Sequence, residues 1–258
     1  MITVAFTWFL WISEILAMQG RLGSSVFVDF LLSSNNPAAW GPFVGAVVLT
    51  FWSKRTEGVL ELLKRGFVPS FPKVWLIPAF LFWPAIMGGG LLLAYLVGEN
   101  IPELLWAANP VFLVSYFIDV LLHQGPLQEE FGWRGYALDR LQARFNAVTS
   151  SVILGLMWAF WHVPYMFWLS GEITYQIPWA FLISNILISI LLTWLYNNTG
   201  GSVMVTLINH TMFNLSVPML PALQTTTGSM FFMFALIASI IIIVRIWGPG
   251  QLVRVKEK

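Results

Sequence analysis

Eight stretches of this 258-residue chain are apolar over close to the length that a helix needs to cross a bilayer, about 20 residues. They lie near 3–19, 38–53, 75–97, 110–130, 148–169, 178–197, 202–219 and 229–247. Only 10% of the residues are charged and 58% are hydrophobic, whereas an ordinary soluble domain is about 25% charged. This pattern predicts an all-α fold: one polytopic transmembrane helical bundle of about eight spans, a single integral membrane domain over 1–258. The first stretch has no basic segment before it and no small-residue cleavage pattern, so it is expected to be a retained span. Between spans two and three, Val59, Leu60, Leu63 and Phe67 recur at helical spacing among Lys54, Arg55, Lys64 and Arg65. That spacing predicts an amphipathic helix in the membrane interface, ended around Pro69 to Pro72.

Basic residues in short loops collect on the cytoplasmic side of a membrane. With the amino terminus inside, the segments 54–73, 131–147, 198–201 and the tail after 245 hold every Lys and Arg except Arg21. The opposite loops hold Asp29, Glu99, Glu103 and Glu172. Both termini are therefore expected in the cytoplasm, with the chain multi-pass in the cell membrane of a prokaryote. A net charge of +1 leaves no broad cationic face for nucleic acid. The absence of cysteine excludes disulfides, zinc–thiolate sites and a thiol nucleophile.

Ionisable side chains within spans are costly and face a bundle interior or a wet cavity. Here they are Glu14, Asp119, His123, Glu129, Glu130, His162 and His210, with Asn209 and Asn214 as amide partners. In "QEEFGWRGYALDR", Glu129 and Glu130 cannot share a helical face, because successive side chains diverge by about 100°. Glu130 stands four residues before Arg134, the favourable order for an ion pair, which leaves Glu129 unpaired and suited to proton transfer. Trp158 and His162 share one face of their helix, and His210 and Asn214 share one face of another. A glutamate, two histidines and an amide from three spans suit acyl-bond hydrolysis, with water activated by carboxylate and imidazole and the oxyanion held by imidazole and amide. Glu129, His162 and His210 equally match a three-ligand catalytic zinc site. Both mechanisms stay open at this level: zinc fits, and hydrolysis does not require it.

These residues fall into three ordered motifs, "EEFGWR" (129–134), "WAFWH" (158–162) and "HTMFN" (210–214). In them the chain resembles the CPBP family of intramembrane proteases, which is similar to the CAAX prenyl endopeptidases of the Rce1 type and includes bacteriocin-processing and immunity relatives. The resemblance is strongest over about 125–215. It implies that Glu129 with His162 activates the attacking water, that His210 and Asn214 stabilise the oxyanion, and that Glu130 and Arg134 support the site. Trp158 lines the cavity where the family's usual residue is phenylalanine. The expected catalytic core is about 110–219. The expected substrate is a membrane-anchored protein or peptide, cleaved near its C-terminus, which a prenyl group could anchor, through a cavity opening toward the cytoplasm. Two rival readings use the same residues: an immunity-type protein that binds a peptide, and a proton-coupled transporter, against which the lack of a repeat counts.

Overall fold

The computed structural model describes residues 1–33, 36–67, 71–104, 106–107, 109–166 and 178–254. Among them there is no strand. The helices are α1 (Ile2–Met18), α2 (Val26–Leu31), α3 (Gly41–Phe67), α4 (Leu76–Leu96), α5 (Phe112–His123) and α6 (Pro126–Gly132). A π-helical turn over Trp133–Leu138 leads into α7 (Asp139–Gln142), α8 (Ala147–Trp161), α9 (Pro178–Asn198), α10 (Val203–Met219) and α11 (Thr226–Trp247).

Three helical segments, Lys73–Leu96, Trp179–Asn198 and Thr226–Trp247, are long and apolar enough to cross a membrane. α1, α5 and α8 are apolar but shorter. The last segment has a mean hydropathy of 2.5 yet only 22% of it is buried. An oily helix that turns most of its surface outward needs lipid rather than water around it. Residues 167–169 of the fifth expected span, Glu172 and Pro69 lie outside the described residues.

Two expected elements differ in detail. α3 carries a break at Arg55, whose φ is 55°, so the second span and the amphipathic segment are two helices meeting at a sharp bend. The buried stripe of the second one is Gly58, Leu62 and Gly66, while Leu60 and Phe67 are exposed. The helix packs on α6 and the π-helical turn, where Phe131 covers Gly66 and Leu62 meets Gly135, so small residues set its face. The fourth span, 110–130, is not continuous. It breaks at Gly125, where φ is 110°, a value that glycine tolerates and other residues avoid. Pro126 then starts α6 at a position where its missing N–H costs nothing.

Local caps set the ends of the later helices. The Asn146 side chain accepts from the Thr149 N–H (2.8 Å) to start α8, and Thr225 accepts from the Gly228 N–H (3.1 Å) to start α11. Inside the bundle, the Ser151 hydroxyl donates to Thr193 (2.7 Å) between α8 and α9, and the Trp83 indole donates to Asn209 (2.9 Å) between α4 and α10. Asn209, an amide singled out in the sequence, thus ties helices together. α8 and α9 approach so closely that a Cβ on Gly155 would lie 2.6 Å from the Ile186 Cα. Small residues at such crossings let backbones meet. Gly155→Leu is therefore expected to destabilise the protein by about 1–3 kcal/mol or more, read as a lower melting temperature in detergent.

The bundle has two distinct ends. At one, the Arg65 guanidinium donates to the Gly201 and Gly135 carbonyls (2.9 and 3.1 Å) and pairs with Asp139 (2.8 Å). There Asn197 and Asn198 also donate to the carbonyls of Gln251 and Leu252, both at 2.7 Å. At the other, the Trp106 indole donates to the Met219 carbonyl (2.9 Å), and Glu99 accepts from the Thr226 and Thr227 N–H groups (both 2.9 Å) and the Thr227 hydroxyl. The Thr227 hydroxyl, then the amides, hold the Glu99 carboxyl below its ordinary value of 4.5. A carboxyl whose value is lowered by folding stabilises above its unfolded value and loses that effect as pH falls through the folded one. Amide exchange at Thr226 and Thr227, corrected for intrinsic rates, is expected to accelerate below about pH 4.5, and in Glu99→Gln already at neutral pH.

Candidate active site

The break at Gly125 places both glutamates in a short helix that starts inside the bundle. The Gly125 N–H donates to Gln128 Oε1 (3.1 Å), and the Glu129 N–H donates to the Gly125 carbonyl (2.9 Å), so the first turn is closed by its own residues. Glycine is needed there twice, because a Cβ at Gly125 would also lie 2.7 Å from Glu129 Oε1. Glu129 is 5% exposed and Glu130 is fully buried.

Glu129 makes no ion pair, as expected, but it is not free. Its Oε2 accepts from the indole N–H groups of Trp158 (2.5 Å) and Trp133 (3.2 Å). Two neutral donors orient the carboxylate without neutralising it, and Oε1 is left beside Gly125. The sequence reading missed Trp133 and gave Trp158 only a lining role. The spacing of Trp133, four after Glu129 on the same face, was the available signal.

Glu130 pairs with Arg134 (2.8 Å) as the spacing predicted, and also accepts from His210 Nδ1 (2.9 Å). Arg134 is completely buried and lies over the Trp158 ring, with its guanidinium carbon 5.0 Å from the ring centroid. A buried arginine of this kind is tolerable only because its counter-charge is adjacent, and the aromatic face adds a cation–π attraction. Since an ionised carboxylate only accepts, His210 must carry a proton on Nδ1, and Nε2 is the remaining nitrogen. His162, at the end of α8, donates from Nδ1 to the Trp158 carbonyl (2.9 Å). A carbonyl cannot donate, so neutral His162 presents a lone pair on Nε2. Asn214 donates from Nδ2 to the Gln124 carbonyl (2.8 Å), and one amide hydrogen remains.

Glu129, His162, His210 and Asn214 line one cavity of about 1330 Å³ with Trp158, Phe181, Asn185 and Phe213. The structure thus brings together on one cavity all four side chains singled out for catalysis, from α6, α8 and α10. Trp11 and Ala39 near the amino-terminal side, and Phe232 in α11, also contribute walls, so the lining extends beyond 110–219. His123 and Gln124 stand at its rim, with His123 paired to Asp119 (2.9 Å). Glu14 lies elsewhere, accepting from Asn36 (2.9 Å).

A metal ion held by Glu129, His162 and His210 fits this arrangement poorly. Among the described residues no group of three His, Cys, Asp or Glu side chains could hold a metal ion. Glu129 Oε2 already faces two N–H donors, which a cation at that oxygen would repel.

The cavity does not open where the sequence placed it. Its rim is formed by Leu223, Gln224, Thr225 and Thr226, by Tyr165 and Met166 after α8, and by Ala180 and Phe181 at the start of α9. That is the end of the Glu99 contacts, and no residue of the Arg65 end lines it. A cytoplasmic opening and cytoplasmic basic loops were both expected, and the two cannot hold together.

A carboxylate, two imidazoles and an amide around a cavity in an apolar helical bundle form the polar inventory of a membrane-embedded hydrolase. Comparison with known proteins agrees. Residues 109–216 match the family described as type II CAAX prenyl endopeptidase Rce1-like. The chain is also similar to the CAAX prenyl protease 2 of Methanococcus maripaludis, 28% identical over 247 residues that cover 91% of this chain and 90% of that protein. The chain carries an Rce1-like endopeptidase domain, and it is a peptide hydrolase.

Proposed function

We propose that this chain is an eight-span intramembrane endopeptidase with both termini in the cytoplasm. It hydrolyses a peptide bond near the membrane-anchored C-terminus of a protein or peptide substrate, and a prenyl group is one anchor that the similarity suggests. Its catalytic core is about 110–219. The observation that carries this reading is that four polar side chains line one cavity, each already held by a second contact on the side away from its reactive atom.

Glu129 Oε1 takes a proton from a water whose other hydrogen is held by the lone pair of His162 Nε2. The oxygen attacks the scissile carbonyl carbon, and the carbonyl electrons move onto its oxygen. His210 Nε2–H and the remaining Asn214 N–H donate to that oxyanion. For His210 to donate there while Nδ1 donates to Glu130 it must carry both protons, and the Glu130 carboxylate supplies the counter-charge. Glu129 then returns the proton to the departing amine as the carbon–nitrogen bond breaks. Arg134 offsets the second carboxylate, so that the site does not hold two bare negative charges.

The test is cleavage of C-terminally lipidated and unlipidated peptides by purified protein, with products located by mass spectrometry. His162→Ala, folded as judged by its melting temperature, is expected to lose cleavage, and wild-type rates would sink the reading. Asn214→Ala removes one oxyanion donor and is expected to slow cleavage about 10²- to 10³-fold, mainly in kcat.

A further inference from the structure

From the placement of charge around the cavity we infer that the site opens on the non-cytoplasmic face of the membrane, and that the bond it cuts is presented from that face. The substrate is then a membrane-anchored segment whose cleaved end has been translocated.

Nearly all exposed cationic side chains of the described residues collect at the Arg65 end. Arg65 binds Gly201, Gly135 and Asp139 there, Lys73 precedes α4, Arg140 and Arg144 flank the turn before α8, and Arg254 covers Trp247 at 5.0 Å. The backbone closes the same end, with the Ala147 N–H donating to the Gly250 carbonyl (2.8 Å). Arg134 is buried in its ion pair and so carries no orientation signal. Arg21 is the exception, following α1 on the side where Asp29, Glu99 and Glu103 lie. The connections are short, which is the regime in which lysine and arginine set orientation. Acidic residues contribute little to that rule, but nothing at the Glu99 end opposes it.

The rim lies at the acidic end. Gln224 and Thr226 are exposed there and belong to the cavity lining. Along α10, Asn214 is 11 residues from Val203 at the Arg65 end and 5 from Met219 at the rim end, or about 16 Å against about 8 Å at the helical rise of 1.5 Å per residue. The reactive side chains are therefore reached through the shorter path from the acidic face, and the Arg134–Glu130 pair, Phe131 and Leu138 fill the bundle on the other side. A cytoplasmic tail would have to cross that packed half to reach Glu129.

The inference rests on the hydrolytic reading of the cavity for its substrate, but its test needs no activity, so the two can fail separately. Because the chain has no cysteine, single cysteines report without background. Gln224→Cys marks the rim and Arg144→Cys the basic end. In intact cells a membrane-impermeant maleimide is expected to label Gln224→Cys and to reach Arg144→Cys only after permeabilisation. The reverse pattern, with the rim protected until cells are opened, would overturn the inference and return the cavity to the cytoplasm.

Discussion

Glu129→Gln is expected to lower the cleavage rate about 10²- to 10⁴-fold, the range that a positioned proton-transfer group contributes, while leaving the fold intact. Glutamine has the same shape, and its carbonyl oxygen can still accept from the Trp158 and Trp133 indoles. What it cannot do is take a proton from water. The melting temperature and circular dichroism of the variant should match the wild type, which separates chemistry from folding. Trp158→Phe is the companion test, because phenylalanine keeps the ring beneath Arg134 and removes the shorter of the two hydrogen bonds to Glu129. Its expected effect is smaller, a kcat decrease with KM little changed.

The second large effect is on stability. Glu130→Ala leaves Arg134 buried without its counter-charge and frees His210 Nδ1. Breaking a buried pair from one side costs about 3–5 kcal/mol. The variant should melt far below wild type in detergent. Replacing both partners, Glu130→Leu with Arg134→Met, should recover much of that stability, since apolar residues of similar volume can fill such a site. The double variant should still be slow, because His210 has lost the carboxylate that holds it. Recovery of stability without activity is the signature of a residue that supports the site rather than merely the fold.

Much of this site could be read from local spacing. Glu130 and Arg134 are four apart on one helix, and their contact is helical geometry alone. His210 and Asn214, again four apart, do reach one cavity. What spacing could not supply was contact between helices. The bond from His210 to Glu130 joins residues 80 positions apart, and that from Trp158 to Glu129 joins residues 29 apart. Glu129 therefore looked unpaired in a one-dimensional reading, although two indoles hold it. The break at Gly125 had a signal, a glycine–proline pair within an apolar stretch, and the reading by hydropathy passed over it because backbone conformation does not enter that measure. Hydropathy likewise separated the Arg65 loops from the acidic ones. Only the packing of α8, α9 and α10 reveals which of those ends the cavity faces.

The central claim is that Glu129 and His162 act on a single water. Residual single-turnover rates of Glu129→Gln, His162→Ala and the double variant measure it directly. If both groups serve one proton-transfer step, the double variant should be about as slow as the slower single variant, because a unit already disabled loses little more. Losses that multiply would mean that the two residues act independently and would contradict the account.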